Sequence, residues 1–210
     1  VVGTEMGTKR LRDNQKITVN GTTGEIFAGV AETVENHALK EVKYDEEIVK
    51  TATKVYVNLG EPELASSVAS KDVDGVGLLR AEFMMAQIGV HPKKMIHDKK
   101  EKIFVNQLAD GLEKFCMAFG YRPVIYRASD FKTNEYRSLV GGKLYEGEEA
   151  NPMLGYRGAY RYITDQRVFD LELEAIKAVR NKRGHKTLHL MIPFVHTVDE
   201  LVKGKRIVTI

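Results

Sequence analysis

Apolar and polar positions follow two different periodic patterns along the chain. Near the N-terminus, residues 16–19 alternate polar with apolar side chains and are followed by Asn20-Gly21, a dipeptide typical of tight turns. Residues 23–27 offer a returning strand, so this stretch predicts an antiparallel hairpin. From Thr53 onward, short apolar runs alternate with longer stretches of helical spacing, which predicts parallel strands joined by helices.

The second pattern, from Thr53 onward, contains four repeats of a strand followed by a helix. The apolar runs predict strands over residues 54–58, 76–79, 123–127 and 188–195. Helical spacing predicts helices over residues 62–69, 81–88, 93–119 and 169–183. Glycines at 120 and 184 are placed to end the last two. Because a closed barrel of this kind needs eight units, we expect an α/β fold that is a partial (β/α)8 TIM barrel preceded by a short β segment.

The same pattern suggests boundaries along the chain. Residues 1–30 are too short to close a core alone, residues 31–52 are interpreted as a linker with partial helix, and residues 53–210 carry the βα units. At the other end, Gly204 and the β-favouring residues 207–210 argue against a continuing helix. A strand there would favour an independent module, and disorder would favour a piece of a larger enzyme.

Composition narrows the class of protein. The net charge is only +3 and its charges are interspersed, so no nucleic-acid partner is indicated. No apolar run is long enough to span a membrane. A single cysteine, Cys116, allows no disulfide framework and fits a reducing cytoplasm, where we place the protein. Cys116 is expected to be a packed core thiol, and the six histidines form no metal-ligand spacing.

Two predicted strands end in an arginine, Arg80 and Arg127. Ligands of α/β sheets bind at the carboxyl ends of the strands, and a guanidinium fork suits a carboxylate or a phosphate. Both arginines can therefore converge on one anion, or each can pair with a local carboxylate such as Glu82 or Asp130; the geometry alone leaves both open. Arg157 precedes a predicted helix over residues 159–163, a further natural position for an anion.

Four motifs, taken in order, resemble the PEP-utilising enzymes and in particular the phosphoenolpyruvate (PEP) synthases, the pyruvate, water dikinases. The looser relatives of that group are pyruvate phosphate dikinase and enzyme I of the sugar phosphotransferase system. The motifs are GVGLLRAEF at residues 75–83, VIYRASDFKTNEY at 124–136, NPMLGYRG at 151–158 and MIPFV at 191–195.

The resemblance implies a fold, a reaction and roles for three arginines. Residues 1–30 would be the end of a swivelling phosphohistidine domain, and the remainder the first half of a PEP/pyruvate barrel. The implied reaction moves a phosphoryl group from ATP through a phosphohistidine to pyruvate, giving PEP, AMP and phosphate. Arg80 and Arg127 match the arginines that bind the substrate's phosphate and carboxylate, and Arg157 matches one near the phosphoryl group.

Several parts of the family pattern have no counterpart in this sequence. The phosphohistidine motif, the ATP-binding domain, the Glu and Asp that bind Mg²⁺ and the acidic Cys are missing, and Cys116 does not match that Cys. We therefore expect a truncated part of such an enzyme that is inactive alone, with Mg²⁺ bound only in the parent protein. The alternative is a non-catalytic PEP/pyruvate-binding or interaction module. Two copies of this module would pair as a homodimer through their open sheet edges.

Overall fold

The computed structural model describes residues 6–21, 23–30 and 51–209. The chain divides into two compact units, Val1–Lys50 and Thr51–Ile210. The linker predicted over residues 31–52 lies outside the described residues, apart from its last two. Within those described ranges no helix combines the length and apolar character needed to cross a membrane.

The first unit contains the predicted hairpin. Strand β1, Ile17–Val19, pairs antiparallel with β2, Ile26–Ala28. Asn20 closes the turn on both sides, because its N–H donates to the Glu25 carbonyl at 2.9 Å and its own carbonyl accepts from the Gly24 N–H at 2.8 Å. The hairpin is confirmed. A short helix, α1 (Gly7–Arg10), precedes it and was not expected in a stretch interpreted as β structure.

The second unit is built on a parallel sheet, as the alternation of strands and helices predicted. Its described strands are β3 (Tyr56–Leu59), β4 (Gly75–Arg80), β5 (Val124–Arg127) and β6 (Leu188–Met191), and they lie in that order. All neighbouring pairs are parallel. This is the architecture of a partial βα barrel, although the described strands do not form a closed one. Strand β6 is shorter than predicted and ends two residues before Pro193, which has no N–H for a ladder.

Helices cover the sheet and supply most of the core. They are α2 (Ala65–Ala69), α3 (Ala81–Ile88), α4 (Pro92–His97), α5 (Glu101–Phe119), α6 (Thr133–Arg137), α7 (Gly142–Tyr145), α8 (Gly158–Thr164), α9 (Arg167–Lys177) and α10 (Val198–Thr209). Short 3-10 turns occupy Pro62–Leu64 and Pro152–Leu154, and a π-helical segment, Ala178–Lys182, continues α9. The helical spacing over residues 93–119 was compatible with one long helix or two, and the structure forms two, α4 and α5.

Helix α5 shows why the apolar spacing produces this packing. Phe104, Leu108, Leu112 and Phe115 recur every three or four residues and are completely buried. Each such side chain contributes about 1.5–3 kcal/mol relative to an exposed one. Beyond the helix, Gly120 adopts a positive φ of 58°. That conformation favours glycine and ends the helix where the sequence predicted.

The prediction for the C-terminal tail is wrong. Instead of a strand or a disordered end, α10 continues as a helix to Thr209. Gly204 is buried. A Cβ at that position would lie 3.3 Å from the Ile192 side chain, which is a tight contact. Ile207 is partly buried and packs against the core. Tertiary packing therefore outweighs the β preference of the last residues.

The stretch between Ala128 and Arg157, predicted to be long and turn-rich, is more ordered than its composition indicates. It contains α6, α7 and the turn Pro152–Leu154. Glu149 organises its second half: its carboxylate accepts from the Thr133 hydroxyl at 2.7 Å and from the Tyr156 N–H at 2.8 Å. A Cβ at Gly155 would lie 2.3–2.5 Å from that carboxylate, so a larger residue there would displace Glu149 from these hydrogen bonds.

Candidate anion-binding site

The two strand-ending arginines occupy neighbouring positions on one edge of the sheet. In the parallel ladder of β4 and β5, the register pairs Leu79 with Tyr126 and Arg80 with Arg127. Neighbouring strands lie about 4.8 Å apart, and directly paired residues project to the same face. The structure therefore brings Arg80 and Arg127 together at the carboxyl ends of adjacent strands, where the sequence analysis placed them.

Arg80 is the available cation of this edge. Its side chain is exposed, and no carboxylate of the described residues lies within ion-pair distance of it. It borders a cavity of about 270 Å³ whose lining does not include Arg127 or Arg157. The other lining residues come from the end of β3, the loop and 3-10 turn that follow it, and α3: Asn58, Leu59, Gly60, Glu61, Leu64 and Phe83. Cavities for drug-sized ligands usually measure roughly 300–1,000 Å³, so this one suits a small metabolite.

Arg127 is partly engaged by carboxylates, as the alternative interpretation had it. One of its terminal nitrogens donates to Glu82 at 2.9 Å, and the other lies 3.9 Å from Asp130. However, neither group is fully satisfied: Arg127 Nε and Glu82 Oε2 are buried without a hydrogen-bond partner among the described residues. Buried polar atoms without a partner are uncommon, so this ion pair is incompletely satisfied in the structure.

Arg157 is held by Asp130. Its Nε and one terminal nitrogen donate to the two carboxylate oxygens at 2.9 and 2.8 Å, and its guanidinium lies 4.0 Å from the centroid of the Phe194 ring. The Asp130 partner raises the pKa of Arg157 above its ordinary value. Because Asp130 also lies near Arg127, it links the two arginines. Arg157 precedes α8, as predicted. The next residue, Gly158, is the first residue of that helix and has a φ of 55°.

A buried carboxylate from α9 supports the turn after β5. Glu172 is fully buried and accepts hydrogen bonds from the Ser129 N–H at 2.9 Å, the Ser129 hydroxyl at 2.5 Å and the Tyr126 hydroxyl at 2.7 Å. The sequence analysis missed Glu172. The signal was present, because position 172 falls within the apolar stripe that Phe169 and Ile176 define, where an isolated carboxylate is unusual.

A second buried charge cluster fixes the middle of the loop. Glu146 accepts two hydrogen bonds from Arg161, at 2.6 and 2.9 Å, and one from His91 at 3.0 Å. His91 also accepts from the Lys93 N–H through Nδ1, so its Nε2 carries the proton that Glu146 receives. This cluster joins α4, α8 and the loop through side chains that the sequence analysis did not single out.

The other chemistry-bearing groups lie elsewhere. A larger cavity of about 610 Å³ sits at the opposite edge of the sheet, beside Tyr56 and Pro123 at the amino ends of the strands. We assign the site to the carboxyl edge because ligands of parallel sheets bind there. Cys116 is buried, and burial, followed by the charge of Glu113, raises the pKa of its thiol to about 12, so it is an inert core residue as expected.

Two carboxylates that lie near the strand-ending arginines are occupied by arginines. Glu82 binds Arg127, and Asp130 binds Arg157. Among the described residues, no three His, Cys, Asp or Glu side chains are arranged to hold a metal ion. These residues therefore do not fit a Mg²⁺ site, and what their geometry can do is bind and orient an anion.

The fold and this edge define an α/β protein with an arginine-lined site at the ends of parallel strands. Comparison with known proteins gives the family: the model for the PEP-utilising enzyme, PEP-binding domain matches residues 34–210. The chain therefore belongs to the PEP-utilising enzymes.

Individual relatives agree with this assignment. The chain is 40% identical to a probable phosphoenolpyruvate synthase of Staphylothermus marinus and 42% identical to the phosphoenolpyruvate synthase of Aeropyrum pernix, each alignment covering 99% of the chain. It is also 40% identical to the phosphoenolpyruvate synthase of Pyrococcus furiosus. The chain spans about a quarter of the length of these proteins, 26%, 27% and 26% respectively.

Proposed function

We propose that this chain binds phosphoenolpyruvate or pyruvate and forms the PEP-binding part of a phosphoenolpyruvate synthase. The complete reaction would transfer a phosphoryl group from ATP, through a phosphohistidine, to pyruvate, giving PEP, AMP and phosphate. The chain itself would supply the substrate site. Mg²⁺, which the resemblance implies for the whole enzyme, would be bound by residues other than Glu82 and Asp130.

One observation carries the proposal: Arg80 and Arg127 are register partners at the carboxyl ends of adjacent parallel strands. PEP presents a phosphate and a carboxylate on a small frame. Two guanidinium groups side by side can each bind one of these groups through forked hydrogen bonds. Phosphoryl transfer depends mainly on positioning and on neutralising charge, which arginines at fixed strand ends provide.

The three arginines would have different roles. Arg80, exposed and without a carboxylate partner in the described ranges, would make the primary contact. Arg127, whose orientation Glu82 fixes, would bind the second anionic group of the ligand. Arg157 is already bound to Asp130 through two hydrogen bonds, so it would contribute charge from a fixed position.

Calorimetric titration of the chain with PEP tests the proposal. We expect measurable binding that Arg80→Ala weakens by roughly 10- to 100-fold, since a hydrogen bond to a charged group contributes about 1.5–3 kcal/mol. Lys102→Ala, which removes one exposed positive charge from α5, is the matched control and should change affinity little. An Arg80→Ala variant that binds PEP as tightly as the Lys102→Ala control would contradict the proposal.

A second experiment tests whether the chain works alone. We expect no pyruvate-dependent formation of AMP from ATP by the purified chain, and its detection would disprove the assignment to a substrate-binding part. The tail does not decide between this proposal and an independent interaction module. A strand over residues 207–210 would have favoured the module and disorder a piece of a larger enzyme, whereas helix α10 occupies residues 207–209.

A further inference from the structure

The turn after β5 is fixed by three different elements. The Ala128 N–H donates to the Met191 carbonyl of β6 at 3.0 Å, and the Ser129 N–H donates to Glu172 of α9 at 2.9 Å. The next N–H, that of Asp130, donates to Glu82 of α3 at 2.6 Å. Three successive amides are thus held from three directions. This turn begins directly after Arg127 and contains Asp130, so its path positions the Asp130 carboxylate, which lies 3.9 Å from one Arg127 nitrogen and binds Arg157.

Glu172 makes the most of these contacts from the most buried position. It has no exposed surface, and each of its donors is neutral: the Ser129 amide, the Ser129 hydroxyl and the Tyr126 hydroxyl. No Lys, Arg or His of the described residues forms an ion pair with it. A buried carboxylate with neutral partners alone is easily protonated, because burial penalises its charged form and no cation compensates.

The tyrosines around Glu172 stay uncharged near neutral pH, because burial raises the pKa of each one. The acidic neighbours of this group are Glu82 and Asp130. Burial is also the main cause that raises the pKa of Glu172 itself to about 7, against the effect of its hydrogen-bond donors. The surrounding tyrosines are Tyr126 on β5, Tyr136 on α6 and Tyr162 on α8.

We propose that Glu172 is a positioning residue of the anion site: it fixes the turn that orients Arg127 and Asp130, and its protonation strengthens anion binding. The inference rests on the proposed function, in which Arg127 belongs to that site. Removing the negative charge behind the turn leaves the arginines more attractive to a dianion. In return, a bound dianion favours the protonated carboxyl group, as linkage requires.

Protonation preserves the geometry of the turn. One oxygen of Glu172 accepts from both the Ser129 N–H and the Tyr126 hydroxyl, while the other faces only the Ser129 hydroxyl. A proton on that second oxygen can be donated to the Ser129 hydroxyl, which is also an acceptor. A glutamine side chain matches this pattern, with its carbonyl in the first position and its amide in the second. Glu172→Gln is therefore a permanent mimic of the protonated form.

The first test needs no ligand. In amide NMR spectra of the whole chain, we expect the Ser129 signal to titrate with a midpoint near the pKa of Glu172, about 7. The signal should lose this titration in Glu172→Gln and keep it in Glu174→Gln, which removes an exposed carboxylate from the same helix. A Ser129 amide that does not titrate between about pH 5.5 and 8.5 in the unaltered chain would overturn the inference.

The second test measures binding of sulfate, which stays a dianion across that pH range. We expect sulfate affinity of the unaltered chain and of Glu174→Gln to fall at least about fivefold as the pH rises from about 5.5 to 8.5. Glu172→Gln should keep the low-pH affinity throughout. Glu172→Ala should bind more weakly than the unaltered chain at low pH, since the Ser129 amide loses its acceptor.

The two proposals fail in different ways. The inference is overturned if Glu172→Gln retains the same pH dependence of sulfate affinity as the unaltered chain. It is also overturned if Glu172→Ala, folded by its circular dichroism and melting, binds sulfate like the unaltered chain at both pH values. If the unaltered chain binds neither sulfate nor PEP, the proposed function and the binding part of the inference fall, and the Ser129 titration still decides whether Glu172 controls the turn.

Discussion

The buried cluster of Arg161, Glu146 and His91 offers the sharpest test of what holds this fold together. Arg161→Met keeps an unbranched aliphatic stem, although a shorter one, and removes the charge. Glu146 then keeps only the hydrogen bond from His91 while remaining buried, with 1% of its side chain exposed. The variant also loses the hydrogen bond from Arg161 to the Tyr156 carbonyl at 2.7 Å and the stacking of its guanidinium against Tyr136.

The expected cost follows from this burial. Removing one partner of a buried ion pair destabilises a protein by about 3–5 kcal/mol, because the other charge stays behind without compensation. Domains have a total stability of about 5–15 kcal/mol, so this is a large fraction. For a chain of this size, each 1 kcal/mol lowers the Tm by about 2–4 °C. We therefore expect Arg161→Met to melt roughly 6–20 °C below the unaltered chain.

A matched exposed pair serves as the control. Arg167 also binds a carboxylate, Asp165, through two hydrogen bonds of 2.8 and 2.7 Å, but 67% of its side chain is exposed. Exposed ion pairs contribute about 0–1 kcal/mol, so Arg167→Met should lower the Tm little. Thermal and urea unfolding, followed by circular dichroism, compare the two variants. Equal losses in Arg161→Met and Arg167→Met would refute the reasoning.

The pH dependence supplies a second criterion. Burial alone would raise the pKa of Glu146, but hydrogen bonds from His91 and Arg161 outweigh it and leave the pKa below its ordinary value. A carboxyl group with a depressed folded-state pKa stabilises the fold above its unfolded pKa of about 4.3, and this contribution is lost as the pH falls through the folded value. The stability difference between the unaltered chain and Arg161→Met should therefore shrink below about pH 4.

Three further outcomes can be measured directly. Gly158→Ala should cost at least about 2 kcal/mol in urea unfolding, because its φ is 55° and a Cβ would lie 2.6 Å from the Phe194 Cβ; a stability loss below about 0.5 kcal/mol would contradict this. Cys116 should react with a thiol reagent only at the rate of unfolding, since it is buried with a thiol pKa near 12, and rapid labelling of the native chain would be the contrary result. Gly204→Ala should raise stability by about 0.5 kcal/mol, because the gain in helix propensity exceeds the cost of displacing the Ile192 side chain. A lowered Tm would show that Ile192 cannot move.

Local sequence was sufficient for the hairpin, for the alternation of strands and helices, and for the ends of two helices. The alternation over residues 16–19 predicted the hairpin, and the apolar spacing of α5 predicted its buried face, since both patterns repeat within a few residues. Gly120 and Gly184 ended helices because each adopts the positive φ that favours glycine. The tail shows the limit of such reasoning: its β preference was overridden by packing of Gly204 and Ile207, whose partners lie elsewhere in the chain.

The candidate site divides in the same way. The sequence alone identified Arg80 and Arg127 as strand-ending arginines and Arg157 as the residue before a helix. Only the tertiary structure decided that the first two are register partners, that Asp130 binds the third, and that Glu172, 43 residues from Ser129, supports the turn between them. Strand and helix patterns arise from neighbours along the chain, whereas hydrogen bonds between distant side chains exist only once packing has brought them together and excluded water.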